Sequence, residues 1–188
     1  MTRDQSFQRR PFMTPVWLTA LAAISALALA IFAAWVWETA GSTAVIVIRH
    51  AEKDLSVSAT DPPLSAPGET RAQLLARMFG DAKALGHLEA IYVSPTLRSR
   101  LTAAPLAASL GIAETVAADD PEGLARRVLR EHGGGRVLIV AHADTLSRIV
   151  AELSGDRNVP PVGAEEYDTM YWVTVPRIGH ANLLRLRY

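Results

Sequence analysis

The sequence predicts one transmembrane helix followed by a three-layer α/β/α domain with a mostly parallel central sheet. Three observations lead to this fold class. A long uncharged segment lies near the N-terminus, short runs of β-branched residues alternate with amphipathic segments afterwards, and glycines or prolines separate these segments. Alternation of strand and helix is typical of βαβ units, whose parallel sheet is covered by helices on both faces.

The N-terminal segment Val16–Trp37 has 22 residues and no charged side chain. A helix of this length spans roughly 33 Å, close to the thickness of the bilayer's hydrocarbon core. Arg3, Arg9 and Arg10 precede it, so the positive-inside rule predicts a short basic cytoplasmic tail at 1–15, a signal anchor at 16–37 and a domain at 44–188 that faces the periplasm or exterior. A cleaved signal peptide and a buried core helix are the alternatives, and the length of the apolar run favours the anchor in an inner or plasma membrane.

The domain is predicted to begin directly after the apolar segment, with a buried strand at 44–48. A polar loop follows, then a helix at 65–79 for which Ser65 is a plausible N-cap. Gly111 is placed as expected of a residue that ends a helix. The remaining predicted elements are a strand at 90–93, a helix at 97–110, a helix at 120–132, a strand at 137–141 and a helix at 145–153. Two later strands, at 170–175 and 183–188, are expected at an edge of the sheet.

The composition excludes several function classes. The chain has 19 basic and 19 acidic residues and no long basic run, so nothing indicates a nucleic-acid partner. It has no cysteine, which excludes a thiolate nucleophile, a disulfide scaffold and a Cys-ligated zinc. Any affinity for an anionic ligand must therefore come from a local site.

Two histidines and two arginines follow the predicted buried strands. Arg49 and His50 come after the first strand, Arg98 after the second and His142 after the third. Ligands of open α/β sheets bind at the carboxyl ends of the strands, so we expect these side chains at one rim. Guanidiniums can hold a phosphoryl group, one imidazole can attack phosphorus, and the other can stabilise the transition state. Because arginines supply the positive charge, no metal or cofactor is expected.

Four segments together carry a family resemblance: VIVIRHAEK at 45–53, PPLSAPGETRA at 62–72, YVSPTLRSRLTAAPLA at 92–107 and VLIVAHADTL at 137–146. In this order they resemble the histidine phosphatase superfamily, which has the phosphoglycerate mutase-like fold. The usual Arg-His-Gly motif reads Arg-His-Ala here, with Ala51 in the third position. The catalytic region is short and has no large inserted cap, and in this respect the sequence resembles the compact phosphohistidine-phosphatase-like branch of the superfamily.

The resemblance implies that His50 is the nucleophile and that Arg49, Arg98 and His142 form the phosphate pocket. The glutamate that donates a proton to the leaving group in many members has no clear equivalent in this sequence. Asp144, which could instead be a helix N-cap, is the favoured replacement, and Glu52 is a further candidate.

The predicted function is hydrolysis of phosphomonoesters, or of phosphoramidates, through a phosphohistidine intermediate. The substrate would be a small phosphorylated molecule or a phosphoprotein. Two alternatives remain: a phosphate-ligand-binding or scaffold protein with weak or no catalysis, and a phosphoglycerate mutase-like phosphotransferase. The predicted location outside the cytoplasm disfavours the second.

Overall fold

The computed structural model describes residues 15–80 and 87–188, without the side chains of residues 38–40. The chain divides into two compact units, one ending at Trp37 and the other running from Glu38 to Tyr188. The predicted basic tail lies outside the described residues, apart from residue 15.

The first unit contains most of helix α1, Val16–Ala40, which the apolar segment forms. The side chains of Val16–Trp37 are exposed, and the mean hydropathy of this segment is 2.3. A helix so long and so apolar can cross a bilayer, and a signal sequence has the same features.

The second unit is built on a six-stranded sheet. Its strands are β1 (Thr43–Arg49), β2 (Ala90–Val93), β3 (Glu114–Val116), β4 (Arg136–Ala141), β5 (Thr169–Val175) and β6 (Asn182–Arg187). Their order in the sheet is β3-β2-β4-β1-β5-β6. The first four strands in this order are mutually parallel. Strand β5 is antiparallel to β1, and β6 is antiparallel to β5, so the predicted mostly parallel sheet is confirmed. The later strands β5 and β6 lie together at one edge of the sheet, as predicted, and β6 is the outermost because β5 pairs with both β1 and β6.

Helices cover both faces of the sheet, because successive side chains of each buried strand point to opposite sides. On β1, Val45 and Val47 pack into the core under α4 (Pro121–Glu131) and α5 (Ala143–Ser154). Ile46 and Ile48 pack into the core under α2 (Ala66–Gly80) and α3 (Leu97–Leu110). This is the predicted three-layer α/β/α arrangement.

The structure confirms one predicted helix end and corrects another. Gly111 adopts a left-handed conformation with φ of 68° after α3, as the C-cap prediction requires. Helix α5 starts earlier than predicted, because His142 is its N-cap and donates its backbone N–H to Thr145 Oγ1 at 3.2 Å. Asp144 therefore lies in the first turn of α5, and its alternative assignment as the N-cap is wrong.

The register of the sheet aligns the carboxyl ends of its central strands. Arg49 at the end of β1 lies opposite Ala141 at the end of β4, and Val93 at the end of β2 lies opposite Val140. The residues that follow these three strands consequently start from one edge of the sheet.

Candidate functional site

His50 lies at the centre of this edge, with a ring whose two nitrogens have different partners. Nδ1 is 2.8 Å from the carbonyl oxygen of Ala51, which can only accept a hydrogen bond. This contact assigns the proton to Nδ1 and leaves a lone pair on Nε2. The Nε–H of Arg98 donates to Nε2 at 3.1 Å. The nitrogen with the free electron pair is thus the one that faces the guanidinium.

The surroundings of His50 keep its imidazole neutral. Burial is the main cause that lowers the pKa of His50 from 6.5 to about 4, and the charges of Arg98, His142 and Arg49 lower it further. The hydrogen bond to Ala51 acts in the opposite direction. The imidazole of His50 is therefore unprotonated at neutral pH, which is the form in which a histidine side chain can act as a nucleophile.

His142 lies beside His50, as predicted from their positions after neighbouring strands. The two ring centroids are 5.2 Å apart and the rings are inclined at 70°. Burial lowers the pKa of His142, and Arg98 lowers it further, whereas Asp144 and Asp119 act in the opposite direction. A neutral imidazole here can donate one N–H to an oxygen of a bound group.

Arg49 is buried at the end of β1 and is held by the segment that precedes β5. Its Nη1 donates to the carbonyl oxygens of Gly163 at 2.9 Å and Ala164 at 2.6 Å. The ring of Tyr167 lies over the guanidinium at 4.0 Å from carbon to centroid. The position of Arg49 therefore depends on a loop about 115 residues further along the chain.

Tyr167 is a residue of the site that the sequence did not identify. Its ring centroid is 6.1 Å from that of His50 and it also covers Arg49, so it forms an aromatic wall of the site. No local pattern marks this tyrosine, because it belongs to an irregular segment and meets β1 only in the folded chain.

Asp61 is a second residue that the sequence did not identify. Its Oδ1 is 3.3 Å from Nη1 of Arg98, and its Oδ2 accepts the backbone N–H of Leu97 at 2.7 Å. The polar loop after β1 is thereby fixed to the first turn of α3.

Thr102 connects the loop after β1 to α3. Its Oγ1 accepts the N–H of the fully buried Ala51 at 2.9 Å and donates to the carbonyl oxygen of Arg98 at 2.7 Å. One hydroxyl group thus holds both Ala51, the residue after His50, and Arg98, whose guanidinium contacts His50.

The two candidate proton donors have contacts elsewhere. Glu52 forms an ion pair with Arg71, whose Nη2 is 2.7 Å from Oε1, and the hydrogen bonds from Arg71 lower the pKa of Glu52 although burial acts against them. Asp144 is exposed, and its Oδ1 accepts the backbone N–H of Thr145 at 3.0 Å. The contacts of Glu52 favour a role in tying the loop to α2.

The site as a whole brings together the four residues expected at this edge. His50, His142 and Arg98 are in mutual proximity, and the charge of Arg49 acts on both imidazoles. Within residues 15–80 and 87–188, no group of three or more His, Asp or Glu side chains is arranged to hold a metal ion. The arrangement offers a neutral nucleophilic nitrogen beside fixed positive charge, which is suited to an attack on an anionic electrophile.

Comparison with known proteins gives matches of sequence and of fold. The sequence model of the histidine phosphatase superfamily (branch 1) matches residues 45–122, which contain Arg49, His50 and Arg98. Residues His142 and Tyr167 lie beyond the matched range. Among curated proteins, none matches the sequence.

Solved structures of phosphatases share the fold. The protein histidine phosphatase SixA complexed with tungstate superposes with a TM-score of 0.64 and 21% identity, over 77% of this chain and 96% of that chain. A mycobacterial glucosyl-3-phosphoglycerate phosphatase gives 0.61 and 16%, over 76% and 97%. A protein assigned as the phosphohistidine phosphatase SixA of Nakamurella multipartitia gives 0.55 and 21%, over 79% and 97%. At these identities the likeness concerns the fold.

Proposed function

Because the chain belongs to the histidine phosphatase superfamily, we propose that it hydrolyses phosphomonoesters or phosphoramidates through a phosphohistidine on His50. The observation that carries this proposal is the state of the His50 ring. Its Nε2 has a free electron pair, and the Arg98 guanidinium that would hold the phosphoryl oxygens already touches it at 3.1 Å. The phosphatases with the same fold support the same reaction class.

In the proposed first step, Nε2 of His50 attacks the phosphorus in line with the leaving group. Arg98 moves its hydrogen bond from Nε2 to a phosphoryl oxygen, and His142 donates an N–H to another. Arg49 contributes positive charge from the rear of the site. Water then attacks the phosphohistidine, phosphate leaves, and Nε2 regains its electron pair.

The charge of the arginines makes a metal ion unnecessary for this mechanism, since they can neutralise the developing charge on the phosphoryl oxygens. We therefore expect activity in the presence of a chelator. The test uses the full chain in detergent micelles, an aryl phosphate and measurement of released phosphate. His50→Ala should abolish turnover, whereas His180→Asn, which changes an exposed histidine, should not. Full activity of His50→Ala would exclude His50 as the nucleophile.

We also propose that α1 anchors the enzyme in a membrane with the second unit outside the cytoplasm. The length and hydropathy of Val16–Trp37 and the arginines before it support this topology. A C-terminal reporter that is active only outside the cytoplasm should give signal. Signal only from a reporter that requires the cytoplasm would reverse the orientation, and a mature protein lacking residues 16–37 would identify a cleaved signal sequence.

A further inference from the structure

A carboxylate lies beside the guanidinium that contacts the nucleophile. Asp61 Oδ1 is 3.3 Å from Nη1 of Arg98, and Nε of the same guanidinium donates to His50 Nε2 at 3.1 Å. The guanidinium group of Arg98 therefore lies between the Asp61 carboxylate and Nε2 of His50, the nitrogen proposed to attack phosphorus. The Asp61 side chain is 44% exposed, so a leaving group that points to solvent can reach it.

The orientation of this carboxylate is fixed by a second contact. Asp61 Oδ2 accepts the backbone N–H of Leu97 at 2.7 Å, at the start of α3. With one oxygen held by the helix end, the other is directed along Arg98. A group held in this way has little rotational freedom to lose when a substrate binds.

We propose that Asp61 is the general acid that protonates the leaving group and the general base that later activates water. This inference rests on the proposed phosphatase function. The sequence did not identify Asp61 as a proton donor, because no motif in the loop at 50–63 marks it as one.

The proton balance closes over one catalytic cycle. In the first step the N–P bond to His50 forms, the O–P bond of the substrate breaks, and the Asp61 proton passes to the leaving oxygen, which departs as an alcohol. In the second step a water O–P bond forms, the N–P bond breaks, and the water proton returns to the Asp61 carboxylate. The products are the alcohol and hydrogen phosphate.

Asp61 fits this role better than the two acids considered from the sequence. Both oxygens of Glu52 accept hydrogen bonds from Arg71, so its carboxylate is already neutralised by a cation outside the catalytic group. Asp144 is exposed and bonded to its own helix. Of the three, Asp61 is the one with a hydrogen bond to Arg98.

The test compares substrates whose leaving groups differ in their need for a proton. The full chain in detergent is assayed with an alkyl phosphate and with p-nitrophenyl phosphate, whose phenolate leaves without protonation. Asp61→Asn keeps an oxygen that can accept the Leu97 N–H. We expect kcat for the alkyl phosphate to fall by ~10²–10⁴-fold and kcat for p-nitrophenyl phosphate to fall by less than ~10-fold.

Two matched variants complete the experiment. Asp54→Asn changes another carboxylate of the same loop, one that bonds Ser56, and should leave the ratio of the two kcat values unchanged. Asp144→Asn tests the rival acid and should also leave that ratio unchanged. A selective loss for Asp61→Asn alone supports the inference.

The contrary outcomes are distinct. Equal losses on both substrates in Asp61→Asn would reduce Asp61 to a residue that positions Arg98, and no loss on the alkyl phosphate would remove it from catalysis. A selective loss in Asp144→Asn instead would transfer the role to Asp144. If the unmodified chain hydrolyses the substrates and one of these three results is obtained, the role of Asp61 is refuted and the proposed phosphatase function stands. If the unmodified chain hydrolyses neither substrate, the proposed function is refuted, and the role of Asp61 with it.

Discussion

Replacing His50 by asparagine should make the folded protein less sensitive to acid. Asparagine is neutral at all pH values, and its side-chain nitrogen can donate to Ala51 as Nδ1 of His50 does. The variant therefore removes a titrating group from a buried position and keeps the hydrogen bond to Ala51, while it loses the one from Arg98. Its effect on stability depends on pH, which separates it from an ordinary packing defect.

The magnitude follows from the pKa of His50. Burial, together with the nearby cations, lowers this pKa to about 4 in the folded chain, against 6.5 for an exposed histidine. The unfolded chain consequently binds a proton at His50 at a higher pH than the folded chain does. As the pH falls from 6.5 to 4, the free energy of unfolding decreases, and the difference between the two pKa values corresponds to about 3 kcal/mol.

The assay is urea unfolding of the full chain in detergent, followed by near-UV circular dichroism at pH values between about 7.5 and 4. The unmodified protein should lose up to about 3 kcal/mol more over this range than His50→Asn. His142, whose pKa is also lowered by burial, is present in both proteins and its contribution largely cancels. Parallel loss of stability in the two proteins would show that His50 does not resist protonation, and would refute the electrostatic account of the site.

Two further predictions concern residues that hold the site together. Tyr167→Leu removes the ring over Arg49, so the affinity for inorganic phosphate, measured by calorimetry, should fall by about 3- to 30-fold, whereas Tyr167→Phe, which retains the ring, should bind phosphate like the unmodified chain. Equal affinities for Leu and Phe variants would show that the ring does not support Arg49. Thr102→Val leaves the buried N–H of Ala51 without a partner, so the free energy of unfolding should fall by ~1–3 kcal/mol, and kcat should fall with it because the loop bearing His50 loses its link to α3. Thr70→Val, which changes an exposed threonine bonded within α2, is the control, and comparable losses in both variants would contradict the special role of Thr102.

The sequence predicted the parts of the fold that depend on local patterns. Continuous β-branched runs marked β1 and β4, because strands buried on both faces contain few polar residues. Strand β3 was not predicted, since its three residues are partly or fully exposed and carry no apolar run. The internal position of β5 was not predicted either, because its pairing with β1 is a long-range contact that the alternation of residues does not encode.

The candidate site was predicted to a similar extent. Arg49, His50, Arg98 and His142 could be placed together because each follows a buried strand or opens the next helix, and the sheet register then brings these positions to one edge. The positions of Asp61 and Tyr167 could not be predicted, since both lie in irregular loops and reach the site through contacts with residues far away in sequence. The ion pair of Glu52 with Arg71 joins the loop to α2 in the same way.

The most direct test of the central claim is to trap the phosphorylated enzyme. The full chain is mixed with a 32P-labelled phosphomonoester, quenched in alkali within the first turnover, and digested for mass spectrometry. The account predicts an alkali-stable, acid-labile phosphoryl group on Nε2 of His50 and none on His142, and no label on His50→Asn. Label on another residue, or steady turnover with no labelled enzyme at any time, would contradict it.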